Sequence, residues 1–116
     1  FMVYLDTNPD IAEWGSEEIV IPYVSPLDGK RHRYFPDFYV KTNNGDKFLV
    51  EIKPKYQTRP PKKSKSKGRY IREMKEWGKN QAKWEAAENV CDRHGWKFII
   101  LTEDHINPHK YLSYGR

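Results

Sequence analysis

Apolar and polar positions alternate most clearly over two runs, Phe35-Pro36-Asp37-Phe38-Tyr39-Val40 and Phe48-Leu49-Val50-Glu51-Ile52-Lys53, separated by Asn43-Asn44-Gly45-Asp46. Aromatic and β-branched runs on either side of an Asn/Gly/Asp turn predict a β-hairpin. Side chains on a strand alternate faces, so Phe48, Val50 and Ile52 point one way and Leu49, Glu51 and Lys53 the other. Upstream, residues 1–5 read as the end of a helix, stopped by Asn8-Pro9-Asp10. Residues 17–24 are expected to form a strand centred on Ile19-Val20-Ile21, residues 25–29 a turn, and residues 31–35 its partner strand. Downstream, residues 70–94 predict one long helix with Ile71, Met74, Trp77, Gln81, Trp84 and Cys91 on one stripe and Gly95 as its stop. The run Trp96-Lys97-Phe98-Ile99-Ile100-Leu101 then predicts a buried strand, able to lie parallel to the Glu51 strand because a helix joins the two. Residues 102–116 are expected to be a tail containing Pro108, Tyr111 and Tyr114.

The whole reads as one α/β domain, a mixed sheet of four or five strands with flanking helices, and 116 residues suit a single modest core. Aromatics at 15%, including four tryptophans, argue against disorder in a chain whose hydrophobic fraction is only 37%. A single cysteine, Cys91, excludes an internal disulfide and suits a reducing compartment. No apolar run reaches membrane-spanning length and no signal peptide is visible, so no membrane partner is expected. The chain opens on Phe1 and reads as a fragment whose start lies upstream, without its N-terminal helix.

Charge is distributed unevenly. Nine of the 21 basic residues (Lys53, Lys55, Arg59, Lys62, Lys63, Lys65, Lys67, Arg69 and Arg72) fall in a stretch without acids, leaving 12 against 16 acids elsewhere. A basic segment on an acidic body suits a polyanion held at one place. Pro60-Pro61, Ser64, Ser66 and Gly68 make residues 54–69 read as a flexible insert, so Lys55, Arg59, Lys62, Lys63, Lys65, Lys67 and Arg69 are candidate nucleic-acid contacts.

The candidate chemistry lies on the hairpin. Glu51 and Lys53 share a face, and Asp37 can reach them across the turn. Two close carboxylates repel one another and are costly to bury unless a cation joins them. Mg²⁺ takes oxygen ligands, often one or two carboxylates plus phosphate, and a neighbouring lysine can orient water or stabilise a developing charge. His32 reads as a surface strand residue, and no second His or Cys stands at zinc-ligand spacing. On the residues alone, Gln81 reads as a cap for a nearby backbone group.

Pro36-Asp37, thirteen residues, then Glu51-Ile52-Lys53 resembles the core motif of the PD-(D/E)xK nucleases. The runs Glu13-Trp14, Ile21-Pro22-Tyr23, Tyr34-Phe35-Pro36-Asp37-Phe38, Glu51-Ile52-Lys53-Pro54, Asn80-Gln81-Ala82-Lys83-Trp84-Glu85-Ala86-Ala87 and Gly95-Trp96-Lys97-Phe98 resemble the head-completion nucleases of T-even-like tailed phages. The arrangement is also similar to the endonuclease subunit of two-part cut-and-paste transposases. The resemblance implies a restriction-endonuclease-like core that cuts DNA with Mg²⁺, Mn²⁺ substituting, and no small-molecule cofactor. It implies metal held by Asp37, Glu51 and the carbonyl of Ile52, Lys53 aiding the water, and Gln81 as the glutamine of the following helix. It further implies action in phage head completion after DNA packaging, other head or neck proteins as partners, and the host cytoplasm and virion as locations. The family's further acid, on a helix before the first strand, has no match; Glu13, Glu17 and Glu18 are the substitutes. The alternatives are a non-catalytic DNA-binding structural protein of the phage head and a transposon-end endonuclease.

Overall fold

A computed structural model describes residues 1–63 and 65–105. In chain order it contains α1 (Met2–Thr7), β1 (Ile11–Ser16), β2 (Ile21–Val24), β3 (Arg31–Tyr34), β4 (Phe38–Thr42), β5 (Lys47–Ile52), a 3₁₀ turn (Lys55–Thr58), α2 (Lys67–His94) and β6 (Lys97–Leu101). The expected tail beyond His105, with Pro108, Tyr111 and Tyr114, lies outside the described residues. Among those described, no helix is long and apolar enough to cross a membrane.

The main sheet has the order β1-β4-β5-β6. β4 and β5 form the expected antiparallel hairpin, pairing Phe38 with Val50 and Val40 with Phe48. Gly45 supplies a left-handed conformation (φ 92°) in the connecting turn. β6 returns through α2 to lie parallel to β5, pairing Glu51 with Ile100 and Ile52 with Leu101. The sheet is therefore mixed, as expected for this α/β class. Its outer strand β1 pairs with β4 and falls where no strand is expected from the sequence. The strand predicted at residues 17–24 shortens to Ile21–Val24, because Glu17 adopts a positive φ of 55° and the chain leaves the sheet. β2 and β3 do pair with each other, but as a separate two-stranded sheet rather than as part of the main one.

β5 lies inside the sheet, with both faces covered. Leu49 joins Ile21, Tyr23 and Tyr34 of the small sheet and Trp84, Ala87 and Cys91 of α2 in one core. Val50 joins Leu5 of α1 and Phe38 and Val40 of β4 in a second core on the opposite face. The alternation of β5 thus feeds two apolar layers, and the next residue toward α2 after Leu49 is Glu51.

α2 begins three residues earlier than expected. Ser66 caps it by accepting the Arg69 N–H at 3.3 Å, and Gly95 closes it in a left-handed conformation (φ 72°). Its buried stripe is Asn80, Trp84, Ala87 and Cys91, beside half-buried Trp77, and Gln81 is exposed. The buried stripe therefore runs through Asn80 and not, as expected, through Gln81. Residues 77, 84 and 91 recur every seven, a spacing that slips about 20° per repeat and leaves both the third and fourth intervening positions near the face. Packing against β2 selects the third position, so Asn80 is buried and Gln81 is turned out. Ile71 and Met74, placed on the same stripe by their spacing, are also exposed.

Leu49 is completely buried between the layers. Leu49→Ala should lower the unfolding free energy by about 2–5 kcal/mol in urea titration, with helix and tertiary signals lost together. A loss below about 1 kcal/mol would mean that the two layers can close over the cavity.

Candidate active site

The carboxyl end of β5 and the residue just before β4 bring three predicted side chains together. Asp37 Oδ2 accepts the backbone N–H of Ile52 at 2.8 Å, which fixes Asp37 against the last residue of β5. Glu51 is 6% exposed, because it continues the Leu49 face beneath the small sheet. Its Oε2 accepts a hydrogen bond from the Tyr34 hydroxyl at 2.8 Å, and its Oε1 lies 3.6 Å from Lys53 Nζ. The Lys53 backbone N–H donates to the carbonyl of Leu101 at 3.0 Å, so β6 holds the strand end that carries the cluster.

Burial raises the proton affinity of Glu51 above the ordinary carboxylate value, and the charge of Asp37 raises it further. The Tyr34 hydroxyl and the Lys53 ammonium act in the opposite direction. Tyr34 in turn keeps its proton well above the usual tyrosine range, through burial and then the charge of Glu51. It is a fixed donor, and it identifies Glu51 Oε2 as an acceptor.

Two residues of this neighbourhood are given no role by the sequence. One is Tyr34, whose signal is an inward-facing strand position with a hydroxyl that needs a partner. The other is Lys83, half-buried on α2, whose Nζ stands 5.6 Å from the Tyr34 ring centre and 5.9 Å from that of Tyr23. Gln81 lies outside the cluster: its side chain is exposed and makes no hydrogen bond to the described residues. Of the substitute acids, Glu13 lies within β1, and Glu17 and Glu18 lie in the connection after it. Glu17 comes up to the cluster through its backbone, its N–H donating to the carbonyl of Asp37 at 3.1 Å.

The basic residues divide. Lys55 is tied to the body, its N–H on the Glu103 carboxylate and its Nζ 2.9 Å from Asp104 Oδ2. Lys67 and Arg69 lie in the first turn of α2 rather than in an insert, and Arg69 pairs with Glu73 at 2.8 Å. Arg59, Lys62, Lys63 and Lys65 are exposed in the segment between the 3₁₀ turn and the helix.

A divalent cation fits the donor set. Two carboxylates of like charge meet at a largely dry position, a situation that a cation relieves. Asp37 Oδ1 has no hydrogen bond among the described residues, and Glu51 Oε1 has only the ion pair at 3.6 Å. Among the described residues no group of three or more His, Cys, Asp or Glu could hold a metal, so the side chains offer two carboxylates and not a closed cage. Such a partial set suits Mg²⁺, which retains waters and shares substrate oxygens.

A mixed sheet that presents Asp37, Glu51 and Lys53 at the end of its central hairpin defines a nuclease of the PD-(D/E)xK class. The chain belongs to the family described as TnsA-like endonuclease N terminal, whose model matches residues 8–103. It is also 45% identical over 109 residues to the head completion nuclease of Enterobacteria phage T4, a match covering 90% of this chain and 73% of that one. No solved structure gives a significant match. By family, then, the chain is an endonuclease.

The raised proton affinity of Glu51 has a definite sign for stability. The folded state keeps this proton to a higher pH than the unfolded chain, so stability falls as pH rises from the ordinary carboxylate range through the raised value. Glu51→Gln should therefore raise the melting temperature of the metal-free protein at neutral pH, on the order of a few degrees. That advantage should shrink as the pH is lowered toward the ordinary carboxylate range. Calorimetry with chelator present across that range checks it, and a variant less stable than wild type at neutral pH would contradict it.

Proposed function

We propose that this endonuclease hydrolyses DNA phosphodiester bonds with Mg²⁺ as resident metal, Mn²⁺ substituting, during completion of phage heads. The observation that supports the chemistry best is the Asp37–Glu51–Lys53 cluster, in which a buried carboxylate is held by Tyr34 and flanked by a like charge and an ammonium. Asp37 and Glu51, with the carbonyl of Ile52, are the residues that would hold the ion. When bound, the ion polarises the phosphate and lowers the proton affinity of water. Tyr34 keeps the Glu51 carboxylate in one orientation, so its remaining oxygen faces the cluster. Lys53 orients the attacking water or stabilises negative charge building on the phosphate. The exposed Arg59, Lys62, Lys63 and Lys65, in the segment leaving the site strand, bind the DNA backbone without regard to sequence. The head-completion role comes from the name of the T4 relative, and it implies DNA at the packaged head as substrate and the host cytoplasm as the place of action.

The chemistry is tested with the full-length protein on supercoiled, linear and branched DNA in Mg²⁺ and in Mn²⁺. Lys53→Ala should retain DNA binding and lose cleavage by roughly 10²–10³-fold, as expected for a group that acts mainly in the transition state. Wild type that binds DNA and never nicks it would overturn the reading in favour of a structural DNA-binding role.

Replacing Lys62, Lys63 and Lys65 together by glutamine tests the basic segment. DNA affinity should fall, and the slope of log affinity against log salt should flatten by about 0.9 for each phosphate no longer neutralised. An unchanged affinity and slope would reduce the segment to a connector.

A further inference from the structure

We infer that Lys83 is a substrate-binding residue that receives a backbone phosphate of the DNA strand beside the Asp37–Glu51–Lys53 cluster. The inference rests on the hydrolytic function proposed above and adds a contact on α2 to it. Lys53 is paired with Glu51 at 3.6 Å and Lys79 with Glu76 at 3.1 Å. Lys83 is half-buried and makes no ion pair or hydrogen bond among the described residues. Its ammonium is held instead over the faces of Tyr23 and Tyr34, at 5.9 and 5.6 Å. An aromatic face attracts a cation but accepts few of its three N–H groups, so the ammonium keeps donors to spare.

The position is specific. Tyr34, beneath Lys83, is the residue that donates to Glu51, so Lys83 stands one side chain away from the cluster. Lys53, Lys79, Glu51 and Glu76 all act on it electrostatically. Burial and the two lysines disfavour its charged form more than the two glutamates favour it. A partly dry cation without an anion is a standing cost to the fold. An anion arriving at the site offsets that cost, and the substrate of this site is a polyanion. Charge-assisted contact with phosphate oxygens would use the free N–H groups and leave the ring contacts in place.

The experiment uses the full-length protein and a short labelled duplex in Ca²⁺, with anisotropy measured over a range of salt. Lys83→Met keeps the aliphatic stem over the rings and removes the charge. Its DNA affinity should fall roughly tenfold and its salt slope by about one. Its melting temperature should equal or exceed that of wild type, and Lys83→Arg should restore most of the affinity. Lys97→Met is the control: Lys97 starts β6, at the opposite end of the parallel pair from the cluster, and should leave affinity unchanged. Unchanged affinity and slope in Lys83→Met, with or without a lower melting temperature, would overturn the inference. An equal loss in Lys97→Met would also overturn it, since net charge alone would then explain the effect. Cleavage by wild type in Mg²⁺ reads the hydrolytic proposal separately. Wild type that cuts, with Lys83→Met binding normally, removes only the Lys83 contact; wild type that binds without cutting, with Lys83→Met weakened, removes only the hydrolysis.

Discussion

A carboxylate on an interior strand, covered on its own face by a second sheet, constrains everything around it. Glu51 follows Leu49 into the layer beneath α2, where an acidic side chain is tolerated only if its lone pairs are satisfied. Tyr34 meets one oxygen from a hairpin that does not belong to the main sheet. Lys53 faces the other from the residue just after the strand. The small sheet therefore does two things at once: it dries the carboxylate and supplies the hydroxyl that makes drying bearable. Asp37 is fixed independently, by the backbone of Ile52, so the two acids cannot drift apart to relieve their repulsion. Tension of this kind at one point of an otherwise consistent fold is what a working site looks like physically.

The hairpin and its two faces were legible because every signal was local: turn residues, alternation and run length over about twenty positions. The helix and the strand after it were legible for the same reason, with Ser66 and Gly95 near the predicted ends. The strand expected to be buried is, however, an edge strand with Ile99 exposed, because nothing in its own run says that only one neighbour will pair with it. β1 was not. Ile11-Ala12-Glu13-Trp14-Gly15-Ser16 has no clean alternation, and it becomes a strand because β4 offers a free edge. The exchange of Gln81 for Asn80 is a matter of helical phase, which a period of seven leaves open and a packed neighbour decides. Asp37, Glu51 and Lys53 are close in sequence once the hairpin is drawn, so their convergence could be foreseen. Tyr34 and Lys83 come from elements whose relative placement no local pattern encodes.

The basic stretch has more order at its ends than its composition suggested. Glu103 holds the Lys55 backbone near its start, and Ser66 caps α2 near its end. Lys55 and Arg69 are occupied with acids of the body, although both are exposed. Surface ion pairs of this type are worth little, so these pairs alone do not remove Lys55 and Arg69 from the proposed DNA contact. In it they rank behind Lys62, Lys63 and Lys65, which make no ion pair among the described residues. The positive segment is thus suspended between two fixed points, each a few residues from the cluster or from the helix that bears Lys83.

The parallel pairing of β5 with β6 also sets an order in time. A ribosome releases Asp37, Glu51 and Lys53 well before it releases Leu101, whose carbonyl holds the Lys53 backbone. Between them comes a helix of 28 residues, so the closing strand arrives last and from far along the chain. A nascent chain therefore carries Asp37, Glu51 and Lys53 before the neighbour that ties the Lys53 backbone in place. A polypeptide interrupted before β6 would keep the Ile52 and Tyr34 contacts to the two acids but leave the Lys53 end of the strand untied.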